Sequence, residues 1–102
     1  MKAIAIQTPG PDSLLSLEER ATPVPAANEA LVKVVAFGVN RADLLQRAGR
    51  YPAPPGTVQD IPGLEFAGVI EKLAVSTSQW NEGDRVMGIV PGGAYAQYVV
   101  TP

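Results

Sequence analysis

Apolar residues recur along this chain in short runs, several of them alternating with polar residues, and prolines and glycines separate the runs. Such a pattern is typical of β-strands joined by turns. Strands are predicted over residues 2–7, 14–21, 29–39, 64–73 and 94–100, and residues 83–90 are predicted to form a turn that leads into a further strand. The run 29–39 is the longest and is rich in β-branched residues, so it is predicted to be a central strand with Lys33 as its one clear polar exception.

One short helix is predicted over residues 41–48, directly after the central strand. Asn40 is a favourable N-cap residue, and Asp43 lies where a carboxylate can reach back to the cap and meet the positive end of the helix dipole. Gly49 is a natural residue to end the helix. The apolar stripe of this helix consists of Leu44, Leu45 and Ala48. A helix of about two turns needs tertiary packing to be stable.

The segment 51–63 is too rich in proline for a helix or a central strand. It is predicted to be either an ordered loop or a mobile lid. Short strands with glycine and proline turns and one or two short helices predict a mainly β, barrel-like fold.

Length and charge narrow the classes of function. At 102 residues the chain is one domain, and its net charge of −2 argues against nucleic acid or an anionic membrane as its main partner. No apolar run approaches the roughly 18 residues that span a bilayer, and the first residues lack the pattern of a signal peptide. We expect a soluble, cytoplasmic protein.

The chain contains no cysteine and no histidine. These absences exclude disulfides, thiolate nucleophiles and Ser-His-Asp catalysis within the chain, together with the usual zinc ligands. Acid–base chemistry must therefore come from carboxylates, tyrosine, lysine or a bound cofactor.

Four motifs, taken in their order and spacing, resemble one known family. They are GVNRADLLQRAGRYP at 38–52, IPGLEFAGVI at 61–70, GDRVMGIV at 83–90 and GGAYAQYVV at 92–100. Together they resemble the N-terminal, GroES-like catalytic domain of the medium-chain dehydrogenase/reductase superfamily. The segment GRYPAPPG at 49–56 is similar to the zinc-independent quinone oxidoreductase branch, in the p53-inducible quinone oxidoreductase-like group. The resemblance covers essentially all of residues 1–102 and implies a partly open, GroES-like barrel.

The resemblance implies an NADPH-dependent enzyme that transfers hydride to a quinone or to an electron-poor carbonyl or enone. Zinc-dependent relatives carry a cysteine where this chain has Asn40 and a histidine where it has Leu64, so no metal is expected. The Rossmann domain that binds most of NADPH is absent from this chain, so the chain alone is expected to be inactive. The longer protein is expected to form a homodimer or homotetramer. The alternatives are an enoyl-thioester reductase module and a non-catalytic GroES-like binding or assembly module.

Tyr51 and Asn40 are the candidate catalytic residues. The Tyr51 phenol can donate to an acceptor oxygen as hydride arrives, although an aromatic residue before prolines is also a common packing anchor. Asn40 is expected at the junction of nicotinamide and substrate, or simply as the helix cap. Asn40, Arg41 and Asp43 are the candidate cofactor-binding residues, while a solvated charge at Arg41 and a plain first-turn carboxylate at Asp43 remain alternatives.

Other notable residues have structural interpretations. Glu65 stands among apolar residues, and we expect it to pair with Arg41 or Arg85. Gly83 and Asp84 are predicted to form a tight turn. Core or edge packing is expected for Trp80, Tyr95 and Tyr98.

Overall fold

The computed structural model of the chain describes residues 1–8, 10, 12, 14–74 and 79–102. In this part of the chain it contains six strands and one helix: β1 (Lys2–Ile6), β2 (Leu15–Glu19), β3 (Ala30–Phe37), α1 (Arg41–Arg47), β4 (Glu65–Leu73), β5 (Arg85–Ile89) and β6 (Tyr98–Thr101). The predicted mainly β fold with a helix after the longest apolar run is confirmed. No helix among the described residues is long and apolar enough to cross a membrane.

The strands form two antiparallel sheets that do not close into a complete barrel. One sheet pairs β1 with β2, and the other has the order β5-β4-β3-β6. Among the described residues, an isolated β-bridge between Ala3 and Ala96 connects β1 to the segment before β6. β3 lies between β4 and β6, which confirms the prediction of a central strand. Its pairing with β4 shifts register twice, and such irregularities bend a strand, as a barrel-like sheet requires.

The last strand is shorter than predicted. The interval 94–100 was predicted as strand, but β6 begins only at Tyr98. The preceding residues leave the sheet because their backbone groups bond elsewhere: the Tyr95 N–H donates to the Pro62 carbonyl at 2.9 Å, and the Tyr95 carbonyl accepts the Ile4 N–H at 2.8 Å. This segment therefore crosses between the two sheets.

The helix ends one residue earlier than predicted. Ala48 is its C-cap, and Gly49 follows with φ 79°, the left-handed conformation that commonly stops a helix. The predicted turn before β5 is also present, since Gly83 has φ 93° and the Asn81 N–H donates to Asp84 Oδ2 at 2.9 Å.

Two apolar clusters form the interior. The first combines residues on strands of the larger sheet with residues of the segment that follows β5. It consists of Val32, Phe66, Val90, Ala94 and Val99. The second joins β1 to the segments before β4 and β6 and consists of Ala3, Ile61, Tyr95 and Ala96. Burying a side chain the size of Val32, which is completely enclosed, contributes about 1.5–3 kcal/mol.

The loop 51–63 is ordered by its own hydrogen bonds and by a clamp at its far end. The Gln59 amide donates to the carbonyls of Pro54 and Thr57 at 3.0 and 2.9 Å. The Asp60 carbonyl accepts the Ile6 N–H at 2.7 Å, and the Asp60 carboxylate pairs with both terminal nitrogens of Arg20. The end of the loop that precedes β4 is therefore fixed to the smaller sheet.

The segment between β4 and β5 falls partly on residues 75–78, which lie outside the described residues. Trp80 is about half exposed, so it packs at an edge rather than in the core.

Candidate functional site

The start of α1 is organised around the carboxylate of Asp43. Asn40 occupies the N-cap position with extended backbone angles, φ −124° and ψ 158°. Its backbone N–H donates to Asp43 Oδ2 at 2.9 Å, and the Asp43 N–H donates to the Asn40 carbonyl at 3.0 Å. The predicted reach of this carboxylate back to the cap is confirmed, and it fixes the backbone of Asn40 relative to the helix.

A second donor reaches the same carboxylate oxygen from a distant part of the chain. The Tyr95 hydroxyl donates to Asp43 Oδ2 at 2.7 Å. Both side chains are buried, since Asp43 is 4% exposed and Tyr95 is 7% exposed. The bond ties α1 to the crossing segment before β6.

The ring of Tyr95 is packed on two sides. It stacks on Phe37, at the end of β3, with ring centroids 4.4 Å apart and an angle of 30° between the planes. Gly63 makes room for it, because a Cβ at Gly63 would lie 2.6 Å from Tyr95 Cδ1. Gly63 also has φ 109°, a conformation that favours glycine. The ring position is therefore set by the packing around it.

Burial disfavours the phenolate, and the hydrogen bond to Asp43 favours the protonated hydroxyl, so both raise the pKa of Tyr95 above its ordinary value of 10.0. Tyr95 is thus a neutral donor over the physiological pH range. The other oxygen, Asp43 Oδ1, is buried and has no hydrogen-bond partner among the described residues. The site therefore keeps one unused acceptor.

The remaining candidate residues lie at the surface. Tyr51 is 44% exposed, and no other described residue hydrogen-bonds its hydroxyl. Arg41, on the first turn of α1, is exposed as well. The structure thus joins Asn40 to Asp43 and leaves Tyr51 and Arg41 outside their hydrogen-bonded cluster.

The expected pairing of Glu65 was wrong. Within the described part of the chain, neither Arg41 nor Arg85 lies within ion-pair distance of Glu65. Glu65 is exposed, so water can solvate its charge, and its side chain lies over Gly38 in space that a Cβ there would fill.

Sequence reasoning missed the polar role of Tyr95, which was interpreted as a packing residue. A signal was available: Tyr95 stands between alanines in an apolar stretch, and a buried tyrosine hydroxyl usually finds a hydrogen-bond partner. Nothing in the local sequence pointed to Asp43 as that partner, because 52 positions separate the two residues.

A cleft of about 520 Å³ lies on another part of the surface. Its walls come from the loop at 56–58, from the turn at 91–93 and from β6, and it includes none of Asn40, Asp43 and Tyr51. Its lining is mainly apolar, so it offers space without the chemistry of the cluster at α1.

Comparison with known proteins finds relatives over the whole chain. It is 37% identical over 102 residues to the mouse (Mus musculus) synaptic vesicle membrane protein VAT-1 homolog-like, covering 100% of this chain and 24% of that protein. It is 38% identical over 103 residues to the quinone oxidoreductase of Lama guanicoe, covering 98% and 31%. The chain thus spans about a quarter to a third of the length of these relatives.

Solved structures show the same fold. Escherichia coli quinone oxidoreductase in complex with NADPH superposes with a TM-score of 0.83 at 30% identity, covering 98% of this chain and 30% of that one. A cobalt- and zinc-bound alcohol dehydrogenase from Pyrobaculum aerophilum superposes with a TM-score of 0.85 at 32% identity, covering 100% of this chain and 39% of that one. The JamJ enoyl reductase superposes with a TM-score of 0.82 at 26% identity, covering 98% of this chain and 32% of that one.

The profile of the alcohol dehydrogenase GroES-like domain matches residues 26–102, which is more than half of the chain. Several relatives above 30% identity, among them those from Schizosaccharomyces pombe and Lama guanicoe, are named probable quinone oxidoreductase and quinone oxidoreductase, respectively. The chain therefore belongs to the alcohol dehydrogenase GroES-like domain family of the medium-chain dehydrogenase/reductase superfamily.

Proposed function

We propose that this chain is the N-terminal, substrate-side part of an NADPH-dependent quinone oxidoreductase. The reaction is hydride transfer, without zinc, to a quinone or to an electron-poor carbonyl or enone. The observation that supports it is the similarity to quinone oxidoreductases over 98% of the chain, in a sequence without cysteine or histidine.

On this proposal the chain is one part of a longer protein, here called the full enzyme: this chain continued through a nucleotide-binding domain. The proposal rests on the chain covering only 31% of the llama enzyme and 30% of the Escherichia coli structure. The full enzyme is a cytoplasmic homodimer or homotetramer, and residues 1–102 alone are inactive because most of the cofactor site lies elsewhere.

The residues present do not fit a catalytic zinc site. Zinc in enzymes is held mainly by cysteine, histidine and carboxylate groups. This chain has no residue of the first two types, and its described residues contain no group of three carboxylates that could hold a metal ion. Asn40 and Leu64 stand where the zinc-dependent relatives are expected to carry ligands. The polarisation of the acceptor must then come from a hydrogen-bond donor.

The residues around α1 do fit the reactive end of NADPH, which supplies the hydride when bound. Asp43 Oδ1 is a buried acceptor that has no donor among the described residues. Buried polar groups usually have a hydrogen-bond partner, so we expect a donor from outside the described residues to bind Oδ1. Asn40 is partly exposed at the cap and borders the reacting centre, and the exposed Arg41 offers a positive charge to the cofactor. Asp43 binds on the cofactor side through Oδ1.

Tyr51 supplies the donor to the acceptor oxygen. Its hydroxyl is partly exposed, has no partner among the described residues and stands at the start of the proline-rich loop that follows α1. A donor of this kind stabilises the negative charge that develops on oxygen as hydride arrives. The same hydroxyl can donate to the oxygen of a quinone, an enone or a related carbonyl, so it does not select among these acceptors.

The similarity to an enoyl reductase supports a second candidate, reduction of an enoyl thioester. Both reactions deliver hydride to an electron-poor alkene or carbonyl, and they differ in the acceptor alone. A non-catalytic GroES-like binding module is the third candidate, and it predicts no cofactor-dependent reaction.

One experiment separates the three. The full enzyme is purified, and the oxidation of NADPH and NADH is followed against a panel of quinones, small enones and an enoyl thioester. We expect saturable turnover with quinones and a preference for NADPH. Faster turnover with the thioester would favour the enoyl reductase, and no turnover with any acceptor would contradict the oxidoreductase assignment.

A further inference from the structure

We propose that Tyr95 is a positioning residue of the hydride-transfer site: its hydroxyl holds Asp43 and, through Asp43, the backbone of Asn40 at the start of α1. This inference rests on the proposed function for its catalytic consequence. Its structural part rests on the contacts of Tyr95 alone.

Tyr95 is held by several segments at once. Its backbone bonds to Ile4 on β1 and to Pro62 before β4, at 2.8 and 2.9 Å. Its ring stacks on Phe37 at the end of β3 and packs against Gly63. The phenol oxygen is therefore fixed relative to both sheets, and it is a suitable reference point for anything it binds.

The helix, in contrast, cannot hold its own position. It has seven residues, and a helix of that length depends on tertiary contacts. Its C-terminal end is held separately, since the Gly10 N–H donates to the Arg47 carbonyl at 3.1 Å and the Gln46 side chain donates to the Gln59 carbonyl at 3.4 Å. At its N-terminal end the Tyr95–Asp43 bond is short and both groups are buried. The start of α1 is thus positioned mainly through Asp43.

Both donors use the same oxygen of Asp43. Oδ2 accepts the Tyr95 hydroxyl and the Asn40 N–H, whereas Oδ1 has no described partner. Without the tyrosine hydroxyl, the two oxygens lose the difference that fixes the rotation of the carboxylate. The Asn40 N–H is then the only described donor that holds the carboxylate. The carboxylate can rotate more freely, and the Asn40–Asp43 hydrogen bond at the cap weakens. Asn40 borders the reacting centre in the proposed site, so a loose cap misplaces it.

The test compares Tyr95→Phe with the control Tyr98→Phe in the full enzyme. Phenylalanine at 95 keeps the ring that stacks on Phe37 and removes only the hydroxyl. Tyr98 is half-buried on β6, three positions away, and its hydroxyl has no hydrogen-bond partner among the described residues. The measurements are kcat, the quinone KM and the hydrogen-exchange rate of the Asn40 amide.

We expect Tyr95→Phe to lower kcat roughly 10- to 100-fold, as small misplacements of reacting groups do, with little change in the quinone KM. The Asn40 amide should exchange several-fold faster. Tyr98→Phe should leave all three quantities close to those of the unaltered enzyme. Asp43→Asn should lower kcat at least as much, because it also alters the cofactor-side Oδ1, and the double variant should lose no more than Asp43→Asn alone.

An unchanged kcat and an unchanged Asn40 amide in a folded Tyr95→Phe enzyme would overturn the proposal, even if its melting temperature fell. If Tyr95→Phe does not fold, a kcat for Asp43→Asn equal to that of the unaltered enzyme overturns it instead. An unaltered enzyme that reduces no acceptor contradicts the proposed function. In that case the Asn40 amide still tests the positioning, because its exchange needs no activity.

Discussion

The hydroxyl of Tyr95 donates to the carboxylate of Asp43 at 2.7 Å, although 52 positions separate the two residues in the chain. A hydrogen bond to a charged group contributes about 1.5–3 kcal/mol when it forms inside a protein. This one joins the single described helix to the segment that crosses between the sheets. The start of the helix, where the proposed site lies, is thereby tied to the rigid part of the fold.

The first prediction concerns the ionisation of Tyr95. Burial and the bond to Asp43 raise the pKa of Tyr95 above its ordinary value of 10.0. The contribution of the protonated, hydrogen-bonded hydroxyl to the free energy of unfolding is fully present below pH 10. It is lost as the pH rises through the raised pKa. In a spectrophotometric titration of the folded protein, Tyr95→Phe should remove absorbance only from the most alkaline part of the curve. Loss of absorbance from the early part would show that the hydroxyl is not buried as described.

The second prediction concerns the space beneath the Tyr95 ring. Gly63→Ala places a methyl group 2.6 Å from Tyr95 Cδ1 at a residue with φ 109°. Strain of about 1–2 kcal/mol from the backbone and about 1–3 kcal/mol from overpacking should lower the free energy of unfolding. Gly56→Ala is the matched control, since Gly56 has φ 84° with nothing within 4 Å of an added Cβ. Denaturant unfolding measures the free energy of unfolding of both variants. Equal losses of stability in Gly63→Ala and Gly56→Ala would contradict the close packing of Gly63 against Tyr95.

The strands and the helix could be predicted because their signals are local. The run before Asn40 has β-branched residues over the length of a strand, and Asn40, Asp43 and Gly49 supply the start and stop of α1. The end of the chain was harder to predict. Alternation continues through Ala94–Gln97, but the backbone there bonds to Pro62 and to Ile4, and these partners are set by tertiary structure.

The site could be predicted only in part for the same reason. The contact of Asp43 with the cap is local and was predicted, whereas its contact with Tyr95 depends on how two distant segments meet. The expectation of a partner for Glu65 failed because the sequence did not reveal that its side chain reaches water over Gly38. The roles of Tyr51, Asn40, Arg41 and Asp43 in binding or catalysis stay predictions.

The third prediction concerns the clamp on the loop. The hydrogen bond from Arg20 lowers the pKa of Asp60 below its ordinary value of 3.8. Its contribution to stability is therefore present above about pH 4 and is lost as the pH falls through the lowered pKa. Both side chains are partly exposed, so the contribution is at most about 1 kcal/mol and weakens in salt.

Acid unfolding of Asp60→Asn checks this clamp. The variant should be less stable than the unaltered protein at pH 6 and should approach it at low pH. Glu82→Gln, at an exposed residue, is the control and should show no such convergence. A constant difference between Asp60→Asn and the unaltered protein across this range would mean that the ion pair does not set the stability.

The fourth prediction concerns Tyr51 in the full enzyme. If its hydroxyl donates to the acceptor as negative charge develops, Tyr51→Phe should lower kcat roughly 10- to 1000-fold and leave the NADPH dissociation constant nearly unchanged. A near-normal kcat with weaker NADPH binding would place Tyr51 on the cofactor side. If both quantities stay unchanged, Tyr51 only packs the loop and is not catalytic.

The central claim is that this family member transfers hydride without a metal. The most direct measurement is the rate of NADPH oxidation by the full enzyme with its best quinone, before and after exhaustive chelation, with the metal content determined on the same samples. We predict the same rate in both samples and far less than one equivalent of zinc or cobalt, because the chain lacks the ligands that hold these metals. A rate that falls on chelation and returns when one equivalent of zinc is added would contradict the account.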